Sequence, residues 1–116
     1  MTITIYHNPR CSKSRETLAL LEQKQCELNV QIYLEHQFTA EELQSLAKKL
    51  GVKSLREMMR TKDELFATLG LNQPNVTEQQ LLAALVAHSA LLERPIVVSG
   101  ERAKIGRPPE SVLEIL

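Results

Sequence analysis

One cysteine in this chain is placed to do chemistry: Cys11, within the run His7-Asn8-Pro9-Arg10-Cys11-Ser12-Lys13-Ser14-Arg15. It falls between a short apolar strand pattern and an amphipathic helix pattern. Three basic side chains and a histidine lie within four residues of it. A helix N-terminus presents unpaired N–H groups and a partial positive charge. Both favour the thiolate, which is the nucleophilic form. An ordinary thiol, with a pKa of about 8.5, is only slightly ionised at pH 7, and a depression of about two units, roughly 2.7 kcal/mol, makes it mostly thiolate. The helix terminus, Arg15, His7 and Lys13 are the groups expected to supply that depression. The polar, charged flanks argue against a cysteine that merely fills a core as a small hydrophobe.

Position 14 decides how an adduct on the sulfur is resolved. In Cys-x-x-Cys proteins the second thiol resolves a mixed disulfide. Ser14 carries a hydroxyl instead, so any adduct on Cys11 must be resolved by a thiol from elsewhere. The Ser14 hydroxyl either hydrogen-bonds the thiolate or is an ordinary first-turn serine. Cys26 falls just past the first helix, about two dozen ångströms along an axis that rises 1.5 Å per residue. That is beyond the roughly 7 Å at which Cα atoms can be bridged, and no role is assigned to it.

Three arginines stand out singly by their place beside structural breaks. Arg94 precedes Pro95 at the start of a strand pattern, and a cis bond there would bring Arg94 toward Cys11; cis X-Pro bonds are about 5–6% overall, so sequence alone does not establish one. Arg60 and Arg107 each end a structured segment and precede a break. The planar guanidinium fork suits tetrahedral oxyanions. Lys48, Lys49, Lys53 and Lys62 read as solvated faces.

The elements that must position these residues are legible in the periodicity. Residues 2–6 alternate as a strand, Asn8-Pro9 breaks it, and a helical stripe with Thr17, Leu18, Leu20 and Leu21 runs from Ser12 to about Lys24. Val30, Ile32 and Leu34 mark a second strand over 29–34. Strand, helix, strand at this spacing predicts a parallel right-handed unit. Three capping boxes come next, Thr39-x-x-Glu42, Ser54-x-x-Glu57 and Thr77-x-x-Gln80. They open helical segments in a block, about 38–92, that reads as helical throughout, with Gly51 and Gly70 as stops. β pattern returns over 94–99, turns at Gly100-Glu101 and comes back over 103–105. Gly106-Arg107-Pro108-Pro109 breaks it before a final helix over 109–116. The order is that of an α/β, thioredoxin-like domain with a helical insertion and a mixed four-stranded sheet, one domain over 1–116.

Bulk properties narrow the functions. The chain has 116 residues, 43% hydrophobic and 24% charged, the balance of a globular domain with a single core. Its formal net charge is zero, so no global field holds a polyanion, and aromatics are only 3%, too few to stack single-stranded bases. Nucleic acid is not expected as a partner. No apolar run approaches the roughly 18 residues of a membrane span, and the start lacks a signal-peptide pattern. A reducing cytoplasm, which keeps a reactive thiol free, is the expected location, and no metal site is expected from two cysteines without ligand spacing.

Taken together the residues resemble the ArsC-type, glutaredoxin-coupled arsenate reductase family over essentially the whole chain. The resemblance is carried by Tyr6-His7-Asn8-Pro9-x-Cys11-x-x-Ser14-Arg15, Tyr33-Leu34-Glu35, Arg60 after an apolar pair, Leu69-Gly70-Leu71, Arg94-Pro95-Ile96-Val97-Val98, and Arg107-Pro108 before Val-Leu-x-Ile-Leu. The cysteine flanks and Ile105-Gly106-Arg107-Pro108-Pro109-Glu110 are closest to the YfgD-like branch. The resemblance implies Cys11 as the nucleophile toward arsenate and His7 as an aid to thiolate formation; Ser14 and Arg15, beside the cysteine in the same run, are taken as further catalytic residues. It implies Arg60, Arg94 and Arg107 as the anion-binding set and Pro95 as the structural cis-proline beside the cysteine. It also implies glutathione as co-substrate, glutaredoxin as the completing reductant, and no bound cofactor. Two other readings share Cys-x-x-Ser or the fold: a monothiol glutathione-dependent oxidoreductase, which needs no oxyanion pocket, and an Spx-like RNA polymerase-binding regulator, which normally uses a second cysteine at position 14.

Overall fold

A computed structural model of the chain describes residues 2–25 and 27–116; Cys26 lies outside the described residues. The chain divides into two compact units, one formed by residues up to His36 together with Arg94–Leu116, the other by Gln37–Glu93.

The first unit holds the sheet. Strand β1 (Thr2–His7) buries Ile3, Ile5 and His7 on one face, as its alternation requires. Helix α1 (Ser12–Gln23) comes next, then β2 (Glu27–Ile32), which lies parallel to β1 with Thr2 opposite Glu27 and His7 opposite Ile32. Strands β3 (Ile96–Ser99) and β4 (Arg102–Ile105) form a hairpin with Gly100 at φ 61° in its turn. The sheet order β2-β1-β3-β4, with β3 antiparallel to β1, makes it mixed, as expected. Ile3, Ile5, Leu21, Val97, Val112 and Ile115 pack as one apolar cluster, with Leu18, Leu20 and Leu28 against it.

Two elements differ from the sequence reading. The second strand starts and ends earlier than 29–34, and Tyr33–Glu35 winds into a 3-10 turn. As an edge strand β2 has only β1 to pair with, and that ladder stops at His7, before the Asn8-Pro9 break. Leu34 is therefore exposed while Tyr33 turns inward, only 1% exposed. The final helix is 3-10 over Pro109–Ile115 rather than α. Its buried residues, Pro109, Val112 and Ile115, are spaced by three, so a helix of three residues per turn stacks them on one face.

Gly106 sits where the end of β4 meets α1. A Cβ there would lie 2.6 Å from Thr17 Oγ1 and 2.8 Å from Pro95 Cγ. Thr17 cannot easily yield, because it is fully buried and donates to the Lys13 carbonyl at 2.8 Å. Gly106→Ala should lower unfolding free energy by about 1–3 kcal/mol, the range for overpacking, read as a lower urea midpoint. An unchanged midpoint would show that the contact relaxes without cost.

In the second unit the three capping boxes close with both reciprocal hydrogen bonds. They start α2 (Ala40–Leu50), a 3-10 segment over Leu55–Met58, and α4 (Glu78–Ala87). Between the last two lies the short α3 (Glu64–Thr68), capped by Asp63. The Glu78 carboxylate also accepts from the Ser54 hydroxyl and the Leu55 N–H, both at 2.8 Å, tying α4 to the 3-10 segment. The block is not helical throughout: Met59 and Leu92 form an isolated antiparallel bridge, flanked by Arg60 N–H to Leu91 C=O at 2.7 Å. Such a backbone bridge carries no side-chain signature. No helix among the described residues is long and apolar enough to cross a membrane.

Candidate active site

The site is built where β1 hands the chain to α1. Asn8 organises the turn: its carbonyl accepts from the Cys11 N–H at 3.0 Å and its Oδ1 from the Arg10 N–H at 3.0 Å. The Arg15 guanidinium reaches back to the Pro9 carbonyl at 2.9 Å. Cys11, half-buried, is thereby fixed as the N-cap residue of α1 in extended geometry, where the first free N–H groups of the helix face its side chain.

Under the cysteine lies a buried polar group. Ser14 Oγ lies 2.6 Å from His7 Nδ1 and accepts from the Asn8 N–H at 3.0 Å. Ser14 is fully buried, and His7 and Asn8 nearly so. The hydroxyl therefore turns back to the end of β1; what Ser14 offers the sulfur is its backbone N–H. Burial, and after it the charge of Arg15, push the His7 pKa below its ordinary value. His7 is thus largely neutral at pH 7 and serves as a hydrogen-bond partner of Ser14 rather than as a cation.

Two arginines come to the sulfur from the far end of the sequence. The Arg94–Pro95 peptide is cis, and so is Arg107–Pro108, which sequence reasoning did not single out. Arg107 Nη2 donates to Cys11 Sγ at 3.7 Å, and its Nε donates to the Arg94 carbonyl at 2.9 Å. The Arg94 guanidinium also lies near enough to the same sulfur to favour its ionised form, and its Nη1 donates to the Tyr33 hydroxyl at 2.9 Å. Its Nε–H is buried and has no acceptor among the described residues. Pro95 is buried, and its carbonyl accepts from the Gly106 N–H at 2.9 Å, which fixes the segment carrying Arg107.

The electrostatics are set by this arrangement. Partial burial pushes the Cys11 thiol up. Against it act the Ser14 N–H, the Arg94 guanidinium, the Lys13 N–H and the charge of Arg107, and the balance leaves the thiol below its ordinary value. The two N–H groups act without closing a regular cap hydrogen bond. The cations beside Cys11 in sequence are not the ones that lower it. Lys13 contributes its backbone, its exposed ammonium lying 3.8 Å from Glu16, and Arg15 holds Pro9. Arg60 belongs to the Gln37–Glu93 unit, where its Nε pairs with Asp63 at 3.2 Å.

Sequence reasoning assigned no role to Tyr33 or Asn8. Both stand in the runs that carry the family resemblance, but the period-two pattern puts Val30, Ile32 and Leu34, not Tyr33, on the inner face.

Sheet order, an N-capping cysteine and converging guanidinium groups define a thioredoxin-like protein with one reactive thiol at an anion-attracting helix terminus. The chain belongs to the ArsC family, whose model matches residues 6–115. It is 58% identical over 116 residues to an arsenate reductase of Haemophilus influenzae, covering all of both chains. It is 51% identical over 114 residues to the YfgD protein of Escherichia coli, covering 98% of this chain and 96% of that one. Its fold superposes on an arsenate reductase of Vibrio cholerae with a TM-score of 0.97 at 51% identity, covering 100% of this chain and 98% of that one.

Proposed function

We propose that this chain is an arsenate reductase that works through Cys11 with glutathione and glutaredoxin. The observation that carries the reading is the Cys11 sulfur set at a helix N-terminus between Arg94 and Arg107. Two guanidinium groups beside a thiolate suit a reaction in which an oxyanion must approach another anion. They also offset charge as oxygen leaves the arsenic. The names of the relatives at high identity support arsenate as that oxyanion. A protein that only exchanged glutathione disulfides would not need such a pocket.

In the proposed sequence the Cys11 thiolate forms a sulfur–arsenic bond, and one arsenate oxygen leaves, protonated, as water. Glutathione adds its sulfur to the arsenic with loss of a second oxygen as water. A glutaredoxin thiol then attacks the glutathione sulfur. The arsenic–sulfur bond breaks, its electron pair stays on arsenic, and As(V) becomes As(III), while the two sulfurs leave as a glutaredoxin–glutathione disulfide. Hydrolysis of the remaining bond releases arsenite and restores Cys11. Arg94 and Arg107 hold the anion, and the His7–Ser14 pair holds the helix start in place. Arg60 is retained as a third anion ligand on the family resemblance alone. The protein needs no bound cofactor in this scheme.

The test is turnover. With arsenate, glutathione and a glutaredoxin present, arsenite should accumulate, and omitting any one should stop it. A glutathionylated peptide should be a poor substrate. Brisk reduction of that peptide with no arsenite formed would replace this reading with the monothiol oxidoreductase.

A further inference from the structure

Arg94 does two jobs at once: its guanidinium favours the ionised form of the reactive sulfur, and its backbone carbonyl holds the Arg107 guanidinium at 2.9 Å. To act on the sulfur the guanidinium must be held in one orientation, and its own hydrogen bonding is incomplete. The Nε–H is buried with no acceptor among the described residues, which favours a guanidinium that swings out to water. Arginine has many rotamers to lose. One neutral oxygen opposes that swing. The Tyr33 hydroxyl accepts from Arg94 Nη1 at 2.9 Å, and Tyr33 is itself 1% exposed, on the 3-10 turn that ends β2. Its ring is locked by packing, so its oxygen is a fixed point. Being neutral, it orients the guanidinium without cancelling its charge, as a carboxylate would.

We propose that Tyr33 is a positioning residue, whose buried hydroxyl fixes the Arg94 guanidinium against the Cys11 sulfur. It touches neither the sulfur nor the anion in this scheme and acts only through Arg94. The proposal deepens the reading above, yet its main test needs no arsenate, so the two can fail separately.

The experiment measures the pH dependence of Cys11 alkylation by iodoacetamide, resolved by mass on the Cys11 peptide, in four proteins: the parent chain, Tyr33→Phe, Arg94→Ala and the double variant. Phenylalanine keeps the buried ring and removes only the hydroxyl. The midpoint in Tyr33→Phe should rise by about half a unit, roughly a threefold loss of thiolate at neutral pH. Arg94→Ala should raise it further, and adding Tyr33→Phe to Arg94→Ala should add nothing, because the residue through which Tyr33 acts is gone. A merely structural tyrosine would lower the urea midpoint alike in both backgrounds and leave the alkylation midpoint in place. An unchanged midpoint in Tyr33→Phe, or an additive shift in the double variant, overturns the proposal. If Tyr33→Phe fails to fold, the parent chain still decides. With only Tyr6 and Tyr33 present, the Tyr33 ring-carbon resonance should shift with the Cys11 midpoint and stop doing so once Cys11 is alkylated. A Tyr33 resonance indifferent to Cys11 ionisation counts against it.

Discussion

Cys11→Ser should abolish arsenite formation, with turnover falling on the order of 10³-fold or more. The hydroxyl that replaces the thiol cannot be ionised by the forces at this site. Two backbone N–H groups and two guanidinium groups depress a thiol whose ordinary pKa, about 8.5, is already close to neutrality, but a serine alcohol starts far outside that reach. Without that thiolate there is no sulfur–arsenic adduct for glutathione to add to. The fold should be untouched, since the Cys11 backbone, not its sulfur, bonds Asn8 and starts α1. The measurement is arsenite release alongside a urea midpoint. Retained turnover in a folded variant would remove Cys11 from the chemistry.

Arg94→Lys should lower kcat/KM for arsenate about 10²-fold, roughly 2.7 kcal/mol, comparable to losing one well-placed donor to a developing anion. The charge is kept, so the loss isolates geometry. A guanidinium can donate to Tyr33 with one nitrogen while a second edge meets the sulfur. An ammonium is a point charge and cannot span both. The Arg94 carbonyl survives the substitution, so Arg107 keeps its hold, and the variant reports on one arginine rather than two. A lysine variant with parental kcat/KM would mean that charge alone suffices.

Much of this site is legible in the sequence. Cys11 stands out because strand, break and helix patterns meet there, and Arg94 and Arg107 because each flanks a structural break. Glu42, Glu57 and Gln80 close the three boxes their spacing announces. Sequence does not show which side chains face each other. Lys13 and Arg15 are near the sulfur along the chain but point to Glu16 and Pro9; the groups that act on it include two from residues more than eighty positions away. The Ser14 hydroxyl looks available to the thiolate, and instead closes on His7 and Asn8. The inward turn of Tyr33 depends on where β1 stops, a property of the neighbouring strand rather than of the segment itself. Pro109–Ile115 is only about two turns long, too short for its apolar spacing to be tested over a further repeat, which is why it reads simply as a helix although its three-residue spacing fits the 3-10 form.

The most direct test of an ionised sulfur inside an anion site is the alkylation of Cys11 across pH, with and without arsenate, measured on the Cys11 peptide itself. A midpoint below the ordinary thiol value of about 8.5, together with slower alkylation when arsenate is present at neutral pH, is the predicted result. A midpoint at or above that value, with arsenate making no difference, would contradict the account.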